Sequence, residues 1–71
     1  MLRNLRNRKK LTQEELAKKL GISQSYLSKL ENEHEYHANV TMELIVNISI
    51  ELNTSPIMIF IYFLKSYRRR K

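Results

Sequence analysis

Two short helical patterns meet at the only glycine of this 71-residue chain, and that junction restricts what it can fold into. Residues 12–32 read TQEELAKKLGISQSYLSKLEN. The first pattern covers 12–20 and the second runs from 23 to about 32. Leu16, Leu20, Ile22, Leu27 and Leu30 are spaced so that all five turn toward one small core. Gly21 can take the positive φ that a sharp turn between crossing helices requires, and Ala17 is small enough for a close crossing. Outward on the second pattern lie Gln24, Ser25, Tyr26, Ser28 and Lys29, with no acid before Glu31. A face that donates and accepts hydrogen bonds in this way suits base-pair edges in a major groove.

The rest of the chain also reads as helix. Leu2 and Leu5 face inward on a first helix over 2–9, with Arg3, Arg6, Arg8 and Lys9 mostly outward. Thr12 and Glu15 form a capping-box pattern that opens helix 2, and Ser23 has the chemistry to cap helix 3. Thr41 caps a fourth helix that reaches about Leu52, and Ser55 followed by Pro56 opens a fifth, which runs toward Lys65 or Tyr67. The expected fold is all-α, with five helices, no strands and one domain over 1–71. Lys10 follows helix 1, and that turn is not expected to need a left-handed residue.

Composition narrows the function. The chain has no cysteine, so neither disulfides nor a thiolate metal site can stabilise it. A cytoplasmic setting is the natural expectation. The apolar run at 57–64 has eight residues, far short of the roughly 20 that span a membrane, and no signal-peptide pattern is present. Residues 1–29 hold eight Lys/Arg against two Glu, 30–64 hold five Glu alone, and 65–71 hold five Lys/Arg alone. The net charge is +6. Its basic part coincides with the two-helix motif, as an electrostatic footprint for a polyanion should. No nucleophile–base set and no phosphate-cradling glycine loop is present, so neither an enzyme nor a cofactor is expected. His34 and His37 form H-x-x-H, but in a segment that reads as a loop, where a rigid ligand set is lacking; no metal is expected.

The TQEELAKKLGISQSYLSKLEN stretch resembles the helix-turn-helix of Cro/lambda-repressor-like regulators, the xenobiotic-response-element class. LRNLRNRKKLTQEEL at 2–16 resembles the first helix of that family, and MELIVNISIELNTSPIMIF at 42–60 its fourth and fifth. The resemblance implies a five-helix lambda-repressor-like domain whose helices 2 and 3 form the motif. It further implies a transcription regulator that binds an operator in double-stranded DNA. Two departures stand out: the 33–40 connection is about three residues longer than usual and lacks proline, and Lys10 replaces a frequent glycine.

Site residues follow from both readings. Gln24, at the start of helix 3, can pair with adenine N6 and N7 and is the leading base reader, joined by Ser25, Ser28 and Tyr26. The duller alternative for Tyr26 is partial burial against helix 2. Thr12 and Gln13, at the start of helix 2, are placed to meet phosphate, as are Lys29, Arg3 and Lys10. The resemblance adds Asn32 as a phosphate contact, a Gln13–Gln24 hydrogen bond, and a partly buried ion pair between Arg6 and Glu31.

Helices 4 and 5 carry more apolar surface than one small core can take. Leu44, Ile50, Ile57, Met58, Ile61, Phe63 and Leu64 are therefore expected at a homodimer interface, with helix 5 (about 55–66) as the pairing element and 67–71 as a basic tail. A two-fold pair would present two recognition helices to half-sites one helical turn apart. The expected protein is a dimeric repressor. The competing readings are an antitoxin or adaptor that binds another protein through the same apolar surface, and a nonspecific nucleic-acid binder.

Overall fold

The computed structural model describes residues 1–32 and 40–68, and only the backbone at 67 and 68. Its described residues form five α-helices and no strand: α1 (Leu2–Arg8), α2 (Gln13–Leu20), α3 (Gln24–Leu30), α4 (Met42–Glu51) and α5 (Pro56–Arg68). Residues 33–39 of the 33–40 connection, with His34 and His37, lie outside the described residues, as do 69–71 of the basic tail. α3 ends two residues earlier than expected, at Leu30 with Glu31 as its cap, and α5 continues to Arg68, into the expected tail.

Local chemistry explains the starts of the helices. The Glu15 backbone N–H donates to Thr12 Oγ1 at 3.1 Å, and the Thr12 N–H donates back to Glu15 Oε1 at 2.8 Å. This satisfies two amide donors that the helix itself leaves without partners. Ser23 Oγ accepts from the Tyr26 N–H, and Thr41 Oγ1 from the Leu44 N–H, each at 3.0 Å. Ser55 Oγ accepts from the Ile57 N–H at 3.2 Å, beside the proline that opens α5.

The ends of α1, α2 and α4 share one device. After α2, the Gly21 N–H donates to the Lys18 carbonyl and the Ile22 N–H to the Ala17 carbonyl, with Gly21 at φ 72°. That is the Schellman pattern, which needs a left-handed residue. The same pair of bonds closes α1 at Lys10 (φ 59°) and α4 at Asn53 (φ 53°). The turn after α1 thus uses a left-handed residue, contrary to expectation for a lysine at position 10. The pairing of Lys10 with Asn7 and of Leu11 with Arg6 imposes it, whatever side chain is present.

α2 packs on α3 and α4, and α4 packs on α5. Leu2, Leu16, Leu27, Leu30, Ile48 and Ile59 are each less than 2% exposed and form the centre of the core. Burying a leucine of this kind contributes about 1.5–3 kcal/mol. Leu44 and Phe63 belong to this core as well, at 9% and 7% exposure, which corrects their assignment to a dimer interface. Phe63 lies on the inner face of α5, edge-on to Tyr62 at 5.0 Å between ring centres. By contrast, Ile50, Ile57, Met58, Ile61 and Leu64 are exposed, together with Met42, Val46 and Phe60.

A Cβ added at Gly21 would meet nothing within 4 Å, so only backbone strain opposes substitution there. Gly21→Ala should destabilise by roughly 1–2 kcal/mol, and Lys10→Gly should stabilise by about 0.5–1 kcal/mol. Urea unfolding midpoints at unchanged m-value will check both.

Candidate nucleic-acid interface

α3 divides cleanly into two faces. Leu27 and Leu30 are buried, at 1% and 0% exposure, while Gln24, Ser25, Ser28 and Lys29 are exposed. The inner residues fix the helix against α2, and the outer ones present amide, hydroxyl and ammonium groups to solvent. Tyr26 does not share the outer face fully. Its ring is half-buried against the core and lines a groove with Leu20, Ile22, Thr41 and Leu44. The structure thereby favours packing for this ring over the freely exposed base contact first expected, because the short Gly21 turn brings it toward α4.

The orientation of α3 is held by a buried polar cluster. The guanidinium of Arg6, on α1, donates through Nε to Glu31 Oε2 at 2.7 Å and through Nη2 to Oε1 at 3.2 Å. Its third donor group, Nη1, reaches the Leu11 carbonyl at 2.8 Å. Gln13 Nε2 donates to Glu31 Oε1 at 3.0 Å, and Arg3 Nε stands 3.7 Å from the same oxygen. The Glu31 side chain is wholly buried, whereas that of Arg3 is 65% exposed. Burial pushes the Glu31 carboxyl up, but hydrogen bonds from Arg6 and Gln13, with the charges of Arg6 and Arg3, outweigh it and hold its pKa below the ordinary value. Glu15 is also held low, by the Thr12 backbone N–H first and then its hydroxyl.

Gln13 is thus engaged with Glu31, and no hydrogen bond joins it to Gln24. A charged carboxylate is a stronger acceptor than a neutral amide, and this decides the partner. At the far end of α3, the Tyr62 hydroxyl donates to the Leu30 carbonyl at 2.6 Å. That carbonyl is one of the last four that a helix leaves unpaired. Tyr62 therefore ties α5 to the recognition-type helix. The only sequence signal for it was a hydroxyl-bearing ring inside an otherwise apolar run.

A family model described as helix-turn-helix matches residues 2–59. The chain belongs to the Cro/lambda-repressor-like helix-turn-helix regulators. Neither a curated protein nor a solved structure matches it. The family is one of DNA-binding transcription regulators, and α2 and α3 form the motif in this member.

In this helix-turn-helix regulator the remaining expected contacts divide by position. Arg3, Lys10, Thr12, Lys29 and Asn32 are all exposed. Thr12 has both its backbone N–H and its hydroxyl engaged with Glu15 in the capping box, so a phosphate contact there would compete with that box. Lys10 is carried outward by its left-handed turn. Among the described residues no group of three or more His, Cys, Asp or Glu could hold a metal ion, and no helix is long and apolar enough to cross a membrane.

Removing the Arg6 side chain would leave Glu31 buried without its main partner. Arg6→Ala should cost about 3–5 kcal/mol, and replacing both residues by apolar ones of similar volume should recover most of it. The depressed Glu31 pKa makes stability pH-dependent. The unfolded chain binds more protons below about pH 4.3, so this contribution is complete above that value and is lost as pH falls through the folded pKa. Thermal unfolding from pH 7 to 3 will show it, and Glu31→Gln should flatten the curve. Tyr62→Phe should cost about 1–3 kcal/mol by stranding a buried carbonyl, as denaturant titration will show.

Proposed function

We propose that this regulator acts in the cytoplasm as a homodimer on a near-palindromic operator in double-stranded DNA, and that it represses by occluding polymerase. The observation that carries the DNA-reading half is the exposed Gln24-Ser25-Ser28-Lys29 face on a helix whose opposite side is buried. Gln24, at the leading end of α3, is the principal base reader and suits adenine; Ser25 and Ser28 contribute hydroxyl contacts, and Tyr26 offers whatever edge the core leaves accessible. Arg3, Lys10, Lys29, Asn32 and the Thr12 hydroxyl supply phosphate contacts around it. Gln13 contributes there only by sharing or leaving its bond to Glu31.

The dimer half rests on the exposed apolar residues Ile50, Ile57, Met58, Ile61 and Leu64, a surface that a chain of this size gains stability by covering. The same surface favours a second reading, an adaptor or antitoxin whose occupant is a different protein. Sedimentation of the purified chain separates them, since a stable dimer supports the first and a monomer the second.

Selection of bound sequences from random DNA should return a two-fold symmetric site. Gln24→Ala should lower the ratio of specific to nonspecific affinity by about 1–3 kcal/mol, with little change in nonspecific binding. An unchanged ratio would exclude Gln24 as a base reader.

A further inference from the structure

α3 and α4 both pack against α2, and an open groove of about 290 Å³ lies between them. Leu20, Ile22 and Leu44 give it apolar walls, and the Gly21 turn forms one edge. The space beside that turn is free, since a Cβ added at Gly21 would meet nothing within 4 Å. Three polar side chains line the same groove: Tyr26 from α3, and Glu43 and Asn47 from α4. Glu43 and Asn47 are four residues apart and so share one face of their helix. Tyr26 and Asn47 are half-buried. Among the described residues no hydrogen bond or ion pair engages the Tyr26 hydroxyl, the Glu43 carboxylate or the Asn47 amide. A glutamate in the first turn of a helix is ordinary, because it complements the helix dipole. Its convergence with two further unengaged polar groups beside an apolar wall is what a ligand site requires.

We propose that this groove binds a small organic cation, a primary ammonium on an apolar or aromatic arm, and that its occupancy lowers the affinity of α3 for DNA. The lining sets the ligand class. Glu43 is its one charged residue, so the groove selects a cation over an anion. The Tyr26 ring adds attraction for an ammonium, and its hydroxyl and the Asn47 amide can both accept from one. The arm lies on Leu20, Ile22 and Leu44, where it removes apolar surface from water. The coupling runs through Tyr26, which belongs both to this groove and to the helix that carries Gln24, Ser25 and Ser28. An occupant bonded to that hydroxyl keeps the ring turned toward α4 and away from the bases. By linkage, DNA must weaken ligand binding by the same factor as ligand weakens DNA binding. The site stands on its own geometry, whereas its effect on DNA rests on the reading of α3 above.

Gly21 is the only glycine of the chain, so labelling with ¹⁵N-glycine gives a single amide resonance at the edge of the groove. Titration with 2-phenylethylammonium should shift it saturably, with half-saturation on the order of 1 mM for a ligand of this size. 2-Phenylethanol, of the same shape without the charge, and phenylacetate, of opposite charge, should both bind more weakly. Glu43→Gln should weaken the ammonium by about two- to fivefold and leave the alcohol unchanged. Asn47→Ala should weaken it too, whereas Glu51→Gln, at the far end of α4, should not. Circular dichroism of each variant reports whether the helices are retained. No shift at Gly21, equal shifts from all three probes, or a folded Glu43→Gln that binds the ammonium as the parent does would each overturn the site. Saturating ammonium should also weaken, several-fold, binding to DNA selected by the wild-type chain. Unchanged DNA affinity would overturn the coupling and leave the site. Failure of the DNA reading itself would show as no selected sequence, with the Gly21 titration unaffected.

Discussion

A buried carboxylate must be compensated by fixed donors, and in this protein that requirement joins three helices at Glu31. Its two oxygens receive the side of the Arg6 guanidinium from α1 and the Gln13 amide from the start of α2, while Glu31 itself caps α3. None of the three helices can rotate or slide without stranding a charge where water cannot reach it. The angle between α2 and α3 is therefore set twice, by the Gly21 turn on one side and by this cluster on the other. Tyr62 supplies a third restraint by holding the final carbonyl region of α3 to α5. A helix of seven residues has little stability of its own, so its polar face keeps a definite aspect because its surroundings fix it.

Gln13 links structure to recognition. Its position at the start of α2 suits phosphate, yet in the free protein its amide group serves Glu31. The same residue that completes the compensation of the buried charge opens α2, the first helix of the helix-turn-helix. Under the proposed phosphate contact, Gln13 would couple the stability of the motif to its hold on DNA.

The molecule separates two kinds of surface. Eight of the thirteen Lys/Arg and the exposed hydrogen-bonding face of α3 lie within residues 1–29, whereas exposed apolar side chains gather on α4 and α5. A chain of this size leaves much of its surface open to water and gains by covering the second kind. The first kind is useful only if left open to a polyanion. Keeping them on different helices lets the proposed association and the proposed DNA reading proceed without competing for the same residues.

The sequence alone determined the five helices, because caps such as Thr12, Ser23, Thr41 and Ser55 act through residues two or three positions away. It also determined the inward leucines around Gly21, since 3.6-residue periodicity is local. Which apolar residues remain outside was not legible: Leu44 and Phe63 have the same chemistry as Ile57 and Ile61, and only the packing of α5 on α4 assigns them to the core. The left-handed turn at Lys10 was likewise hidden, because closure of the α1 end imposes a conformation its side chain does not favour. Gln13 turning to Glu31, the half-burial of Tyr26 and the reach of Tyr62 to Leu30 were all decided by tertiary structure. Each joins groups far apart in the chain, and a distance of that kind exists only once the helices have packed.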